Sequence, residues 1–416
     1  MKAVRHYFFG IFKFDPREIA PLNGLRSLGF FLVVAGHMYR PFESKIQDPN
    51  EFARNFFSSG SFAMDIFFVL SGFLISGPLF RELDRSGTIR LGVFFSKRTI
   101  RIFPPYFIFL SLQTFLLLPL LIKLQPESAN ELIQYRSRAV FDFLYISNYF
   151  PGTVPHGWSL SLEEQFYLLF PPFLLVFFRK IPEKYRIYTL VSCILFPTIY
   201  RFLIFKLKIE GITDPVLSKA LYHELIYYPL HARLDSLFMG ILLAYVLNRY
   251  PDRIFNFLKD SKKRRTLLLA SSAAVFYIIF FLYEFRPDPI SMVFRFNLNA
   301  FACAAVMLLS LRPESLSSKL LSFRIFSPIA KLSYCAYLIH FFLAGILTPL
   351  FVDVNHPRYL DFALAFVPAG FIVLFFGYLF HLIAERPFMV WKESRYGKEV
   401  MLSKKENAFP EAGETG

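Results

Sequence analysis

The sequence predicts an all-α, polytopic membrane protein with about ten transmembrane helices and both termini in the cytoplasm. Three observations carry that expectation. Of 416 residues, 55% are hydrophobic and 55 are Phe, more aromatic bulk than a soluble core of this length buries. The apolar residues fall in runs of about 18–23, the length at which a helix crosses ~30 Å of hydrocarbon. Lys and Arg concentrate in alternate connections, most heavily from Arg81 to Arg101 and from Arg249 to Arg265, which places those connections inside. The formal net charge of +15 is spread over short clusters between apolar runs, not gathered on one face, and this argues against nucleic-acid binding.

Taken in order, the predicted spans cover about 24–41, 60–80, 104–124, 158–178, 188–205, 229–248, 266–284, 291–311, 332–352 and 361–383. The first 18 residues mix charged and aromatic side chains and lack the uninterrupted apolar core of a cleavable signal. Between spans, the stretch FDFLYISNYF reads as a short interfacial helix. Residues 1–383 read as one transmembrane domain and 384–416 as a cytoplasmic tail. The end of that tail, SKKENAFPEAGETG, has the composition of a disordered segment. Cys193, Cys303 and Cys335 lie in apolar runs without ligand spacing and read as core residues, and HELIYYPLH lacks the H-E-x-x-H spacing, so no metal is expected.

Ionisable residues inside spans are expensive and usually functional. Arg26 and His37 are eleven residues apart in the first span, close to three helical turns, so both face nearly the same way, with a rise of roughly 16 Å between them. His37, Asp65, Glu163, Glu164, Arg233 and Asp235 fall at one predicted depth near the outer surface, where an ion-pairing network is expected. Arg26, Arg81, Arg98 and Arg101 fall near the inner surface, and His340 lies between. Glu163 and Tyr167, four residues apart, share a helix face. Arg233 and Asp235 read as a structural pair, while Tyr337 and His340 fit either a channel wall or mid-helix packing. Arg98 and Arg101 are explained equally by topology or by an anionic ligand.

The blocks LNGLRSLGFFLVVAGH, FAMDIFFVLSGFLI, FFSKRTIRIFPPY, WSLSLEEQFYLLFP, RLDSLFMG and LSYCAYLIH resemble, in order and spacing, the integral-membrane acyltransferase 3 family of bacterial surface-glycan O-acyltransferases. The resemblance covers roughly residues 20–390. It implies a ten-helix domain that moves an acyl group, commonly acetyl, from cytoplasmic acyl-CoA to a glycan or lipid-linked glycan hydroxyl at the cell envelope, with no permanently bound cofactor. The family's arginine and histidine map onto Arg26 and His37, its R-x-x-R onto Arg98 and Arg101, and its acidic motif onto Glu163. Asn23 and Ser27 depart from the usual L-D-G-L-R-G, which removes a carboxylate, and the fused esterase-like domain of some relatives is absent from this sequence.

Acyl transfer from a thioester needs a base for the hydroxyl proton, donors for the oxyanion and cations for the donor's phosphates. His37 fits the first role as base or transient acyl carrier, with Glu163 or Asp65 expected to orient its ring. Arg98, Arg101 and Arg26 fit the last. The competing class is a secondary transporter or flippase, with His37, Glu163 and Arg233 as a proton relay, but broken helices and pseudo-symmetric halves are not evident in the sequence.

Overall fold

A computed structural model describes residues 2–13, 18–48, 50–282, 286–312 and 314–394. Among these residues there is no strand. Ten long helices appear where the sequence predicts spans: α1 (Ala20–Tyr39), α2 (Phe62–Ser86), α3 (Leu91–Leu112, extended through a π turn to Leu124), α4 (Gly157–Val176), α5 (Glu183–Ile204), α6 (Leu230–Arg249), α7 (Ser261–Phe280), α8 (Arg295–Ser310), α9 (Phe326–Phe351) and α10 (Tyr359–Phe380). Eight of them, all but α1 and α7, are long and apolar enough to cross a membrane by length and composition. Each exception has 20 residues. Asn23, Arg26 and His37 lower the apolar character of α1, and α7 begins with the basic run Ser-Lys-Lys-Arg-Arg. The last helix continues past residue 383, where the sequence suggests a tail, through a π turn at His381–Glu385 as far as Ser394. SKKENAFPEAGETG lies outside the described residues.

The most extensive packing joins α2 to α6, α9 to α10, α5 to α6 and α1 to α9. Glycines set the closest crossings, as expected where helices associate in lipid by backbone approach. A Cβ at Gly72 would lie 2.0 Å from the Leu237 carbonyl oxygen, and one at Gly240 would lie 2.0 Å from that of Val69. The α2–α6 seam therefore has no room for any larger residue at either position. Gly36, next to His37, meets Gly60 in the same manner, a Cβ at Gly60 falling 2.9 Å from the Gly36 Cα.

Two fully buried ion pairs cross the same bundle. Arg233 Nη2 on α6 donates to Asp65 Oδ1 on α2 at 2.7 Å. Asp65 also accepts from Ser236 Oγ and from Asn299 Nδ2, each at 2.7 Å. Arg201 Nη2 on α5 donates to Asp235 Oδ2 at 2.7 Å and its Nη1 to the Ala232 carbonyl at 2.5 Å. Every charge is thus hydrogen-bonded more than once, the condition under which a buried pair is tolerated. The expected Arg233–Asp235 pair is not formed. The two side chains turn to different partners because residues two apart on a helix point about 200° from one another.

Candidate active site

Helices α1, α2, α3, α4 and α9 enclose a cavity of about 400 Å³ whose wall includes Arg26, Arg98, Arg101, Glu163, Glu164 and Tyr167. We call it the arginine chamber. The Arg98 guanidinium lies over the Tyr167 ring, 3.3 Å from its centroid. Glu163 accepts from Ser71 Oγ at 2.6 Å, and that hydroxyl accepts from Tyr167 OH at 3.1 Å. The predicted sharing of a face by Glu163 and Tyr167 is thus realised through Ser71. Arg101 Nε is 3.9 Å from Glu385 Oε1. The other oxygen of Glu385 accepts from His381 Nδ1 at 2.8 Å and Cys335 Sγ at 3.2 Å. Cys335 is therefore more than a packing residue. Cys335, His381 and Glu385 hold their ligand atoms within 4.8 Å of one another, yet the nearby Arg101 makes the surroundings unfavourable for a dication. The trio reads as the hydrogen-bonded backing of Arg101.

A second cavity, of about 270 Å³, is lined by His37, Arg40, His156, Trp158, Lys219, His223 and Tyr228 among others. It is the histidine chamber. Met64 and Tyr337 line both cavities and form the partition between them. Tyr337 OH pairs with Ser159 Oγ at 2.7 Å and approaches Met64 Sδ at 3.8 Å, so the partition is held by specific contacts.

His37 is bonded neither by Glu163 nor by Asp65, contrary to expectation. Its Nδ1 lies 2.9 Å from His340 Nε2, and His340 Nδ1 lies 2.5 Å from the Tyr337 carbonyl oxygen. The carbonyl only accepts, so His340 Nδ1 carries a proton. With His340 neutral, its Nε2 offers a lone pair, His37 Nδ1 donates to it, and His37 Nε2 is left as the basic nitrogen. His340, predicted at mid-depth, therefore sits beside His37 and sets its tautomer. Glu163 sits with the arginines, and Asp65 is occupied by Arg233, because α2 and α4 turn those faces toward α6 and α1.

His156 was not singled out by sequence reasoning. Its ring is 2% exposed, neither ring nitrogen makes a hydrogen bond of good geometry, and its centroid is 4.8 Å from that of His340. A histidine two residues before the Trp-Ser-Leu block was the available signal. The loop that carries it is fastened by Asp142, in the short helix Ala139–Phe143; of the stretch 141–150 expected as an interfacial helix only the first three residues are helical, and the rest turns. Asp142 Oδ2 accepts from Thr153 N at 2.5 Å, Thr153 Oγ1 at 3.1 Å and Val154 N at 3.2 Å. Burial pushes its carboxyl above the usual range, and the Thr153 and Val154 donors pull it back.

The profile of the family described as acyltransferase domain matches residues 19–382. The chain is 25% identical to the peptidoglycan O-acetyltransferase OatA of Listeria monocytogenes, over 94% of this chain and 62% of that protein. It is 27% identical to O-acetyltransferase OatA of Staphylococcus aureus strain NCTC 8325, over 83% of this chain and 54% of that protein. It is 24% identical to a putative O-acetyltransferase of S. aureus strain COL, over the same shares. The chain thus spans little more than half the length of these relatives. No solved structure matches. With a profile match over nearly the whole chain and an all-helical bundle built to cross a bilayer, this multi-pass cell-membrane protein belongs to the acyltransferase 3 family.

Proposed function

We propose that the protein is a membrane O-acetyltransferase that takes an acetyl group from cytoplasmic acetyl-CoA and places it on a hydroxyl of a cell-envelope glycan or lipid-linked glycan. The observation that carries this reading is the junction of two chemically distinct chambers at Met64 and Tyr337. One offers guanidinium groups for the donor's phosphates. The other presents an imidazole whose hydrogen-bond chain leaves a basic nitrogen available. The positive-inside pattern of Lys and Arg supports a cytoplasmic side for the arginine chamber and for both termini.

In the reaction, Arg26, Arg98 and Arg101 bind the phosphates and the thioester reaches the partition. Glu163, with Ser71 and Tyr167, positions Arg98 and Arg26. His37 Nε2 takes the acceptor's hydroxyl proton, the oxygen attacks the thioester carbonyl, and the CoA thiolate leaves with the proton returned from His37. The Tyr337 and Ser159 hydroxyls are the donors nearest the junction for the oxyanion. Glu164 extends the polar wall of the donor chamber. Asp65, Arg233 and Asp235 hold the helices that carry these groups and do not touch substrate. No resident cofactor is required by this chemistry. The names of the relatives, one of them specifying peptidoglycan, support acetyl transfer to an envelope glycan.

The test uses the protein in liposomes with labelled acetyl-CoA and envelope glycan fragments, read by a mass gain of one acetyl group. Transfer is expected for the native chain and not for His37→Ala. Undiminished transfer by a correctly inserted His37→Ala protein would falsify the mechanism.

A further inference from the structure

We propose that Met64 sets the length of the acyl group this protein transfers, favouring acetyl because the Met64 side chain fills the space that a further methylene needs. The inference rests on the assignment of the arginine chamber to the donor and the histidine chamber to the acceptor, and adds the residue that keeps the transferred group short.

A thioester carbonyl carbon carries sulfur, oxygen and the acyl chain. With the donor's phosphates among the arginines and the base on the far side, that carbon lies at the junction of the chambers, where Met64 and Tyr337 line both. Sulfur points back into the arginine chamber with the rest of the donor. Oxygen turns to the Tyr337 and Ser159 hydroxyls, which pair at 2.7 Å. The acyl chain is left to face Met64, whose Sδ lies 3.8 Å from Tyr337 OH.

The other walls of the junction do not yield. Tyr337 OH also reaches the His156 carbonyl oxygen at 3.4 Å. The Tyr337 ring is wedged between those of Phe67, His156 and His340, with centroids 6.4, 4.9 and 5.0 Å away. On the acceptor side, Gly36 and Gly60 line the histidine chamber and press backbone against backbone, so that wall cannot retreat.

Met64 differs in kind. It is 7% exposed, and its unbranched thioether is held by packing and a weak sulfur contact. Its volume therefore limits the junction and can be changed without breaking a strong hydrogen bond. A propionyl chain would overlap this side chain or take the space that the acceptor hydroxyl needs. One methylene against a fitted apolar wall changes kcat/KM by about 10–200-fold.

Initial rates of transfer from acetyl-, propionyl- and butyryl-CoA to one envelope glycan preparation, measured with the full chain in liposomes, test this. The native protein is expected to favour acetyl-CoA over propionyl-CoA by about tenfold or more in kcat/KM, and over butyryl-CoA by more. Met64→Ala opens the junction and should reduce the propionyl ratio to about threefold or less, whereas Met64→Leu, of similar volume, should keep it. A folding defect lowers the rate with every donor alike, so the ratio between donors reports the fit of the acyl group and not the amount of intact protein. Met64→Val removes less of the side chain, should shift the ratio in the same direction, and carries the test where the alanine protein does not insert. A native chain that uses the three donors equally overturns the proposal. So does a Met64→Ala or Met64→Val protein that transfers acetyl and retains the native ratio, an outcome that leaves the reading of the two chambers intact. No transfer from any donor by the native chain overturns that reading, and this inference with it.

Discussion

His340 fixes the protonation pattern of His37 through two contacts, one to the Tyr337 carbonyl and one to His37 Nδ1. Replacing it changes both the tautomer and the aim of the base, effects that cost general-base catalysis about 10²–10⁴-fold. His340→Phe is therefore expected to lower kcat by at least about 10²-fold with little change in the KM for acetyl-CoA. His340→Gln keeps an acceptor for His37 and should recover part of the loss. Steady-state kinetics of both variants check this, and equal activity of Phe and Gln variants counts against a hydrogen-bonding role. His37 was legible in the sequence as a candidate base because α1 alone fixes its helical phase with Arg26. Its partner was not, since nothing in α1 says which face of α9 lies opposite. The expectation of a carboxylate partner failed for that reason.

Among the elements, the α2–α6 seam concentrates the largest structural cost of any single change. Asp65 neutralises Arg233 and organises Ser236 and Asn299, all remote from water. Removing its charge leaves a buried guanidinium without a counterion, a loss of about 3–5 kcal/mol. Asp65→Asn is expected to lower the Tm in detergent and to reduce the yield of folded protein, whereas Glu163→Gln, on the chamber wall, should leave Tm nearly unchanged while impairing transfer. Thermal unfolding followed by size-exclusion chromatography separates the two. At the same seam Gly240→Leu would drive a side chain into the Val69 carbonyl. It should prevent assembly altogether, which the absence of a monodisperse species in detergent would report. The sequence marked Asp65, Arg233 and Asp235 as buried and paired. It did not reveal that Arg201, Asn299 and Ser236 complete the pairs, because those partners come from helices far apart in the chain.

At the scale of the whole molecule, the chain divides its polar interior into a cationic chamber and a histidine-bearing chamber, with lipid-facing apolar residues such as Phe115, Leu364 and Phe371 outside. The arginine chamber should show its character in the donor's salt response. Arg98→Gln is expected to raise the KM for acetyl-CoA about tenfold with a smaller effect on kcat, and added salt should raise the native KM in the same direction. Initial rates at several salt concentrations check both. A KM insensitive to salt and to Arg98→Gln would remove the assignment of this chamber to the donor.

Composition, run length and the placement of Lys and Arg determined the class of this protein without any coordinates, since bilayer thickness and desolvation act on each segment independently. The ordered motif blocks likewise determined the family. Tertiary structure alone decided which polar residues share a space: Glu163 with the arginines, His340 with His37, and His156 against a chamber no motif announces. Residues of one helix can be phased from sequence, but the rotation and close approach of different helices depend on glycine contacts and buried pairs spread across the chain, and these become visible only once the helices are packed.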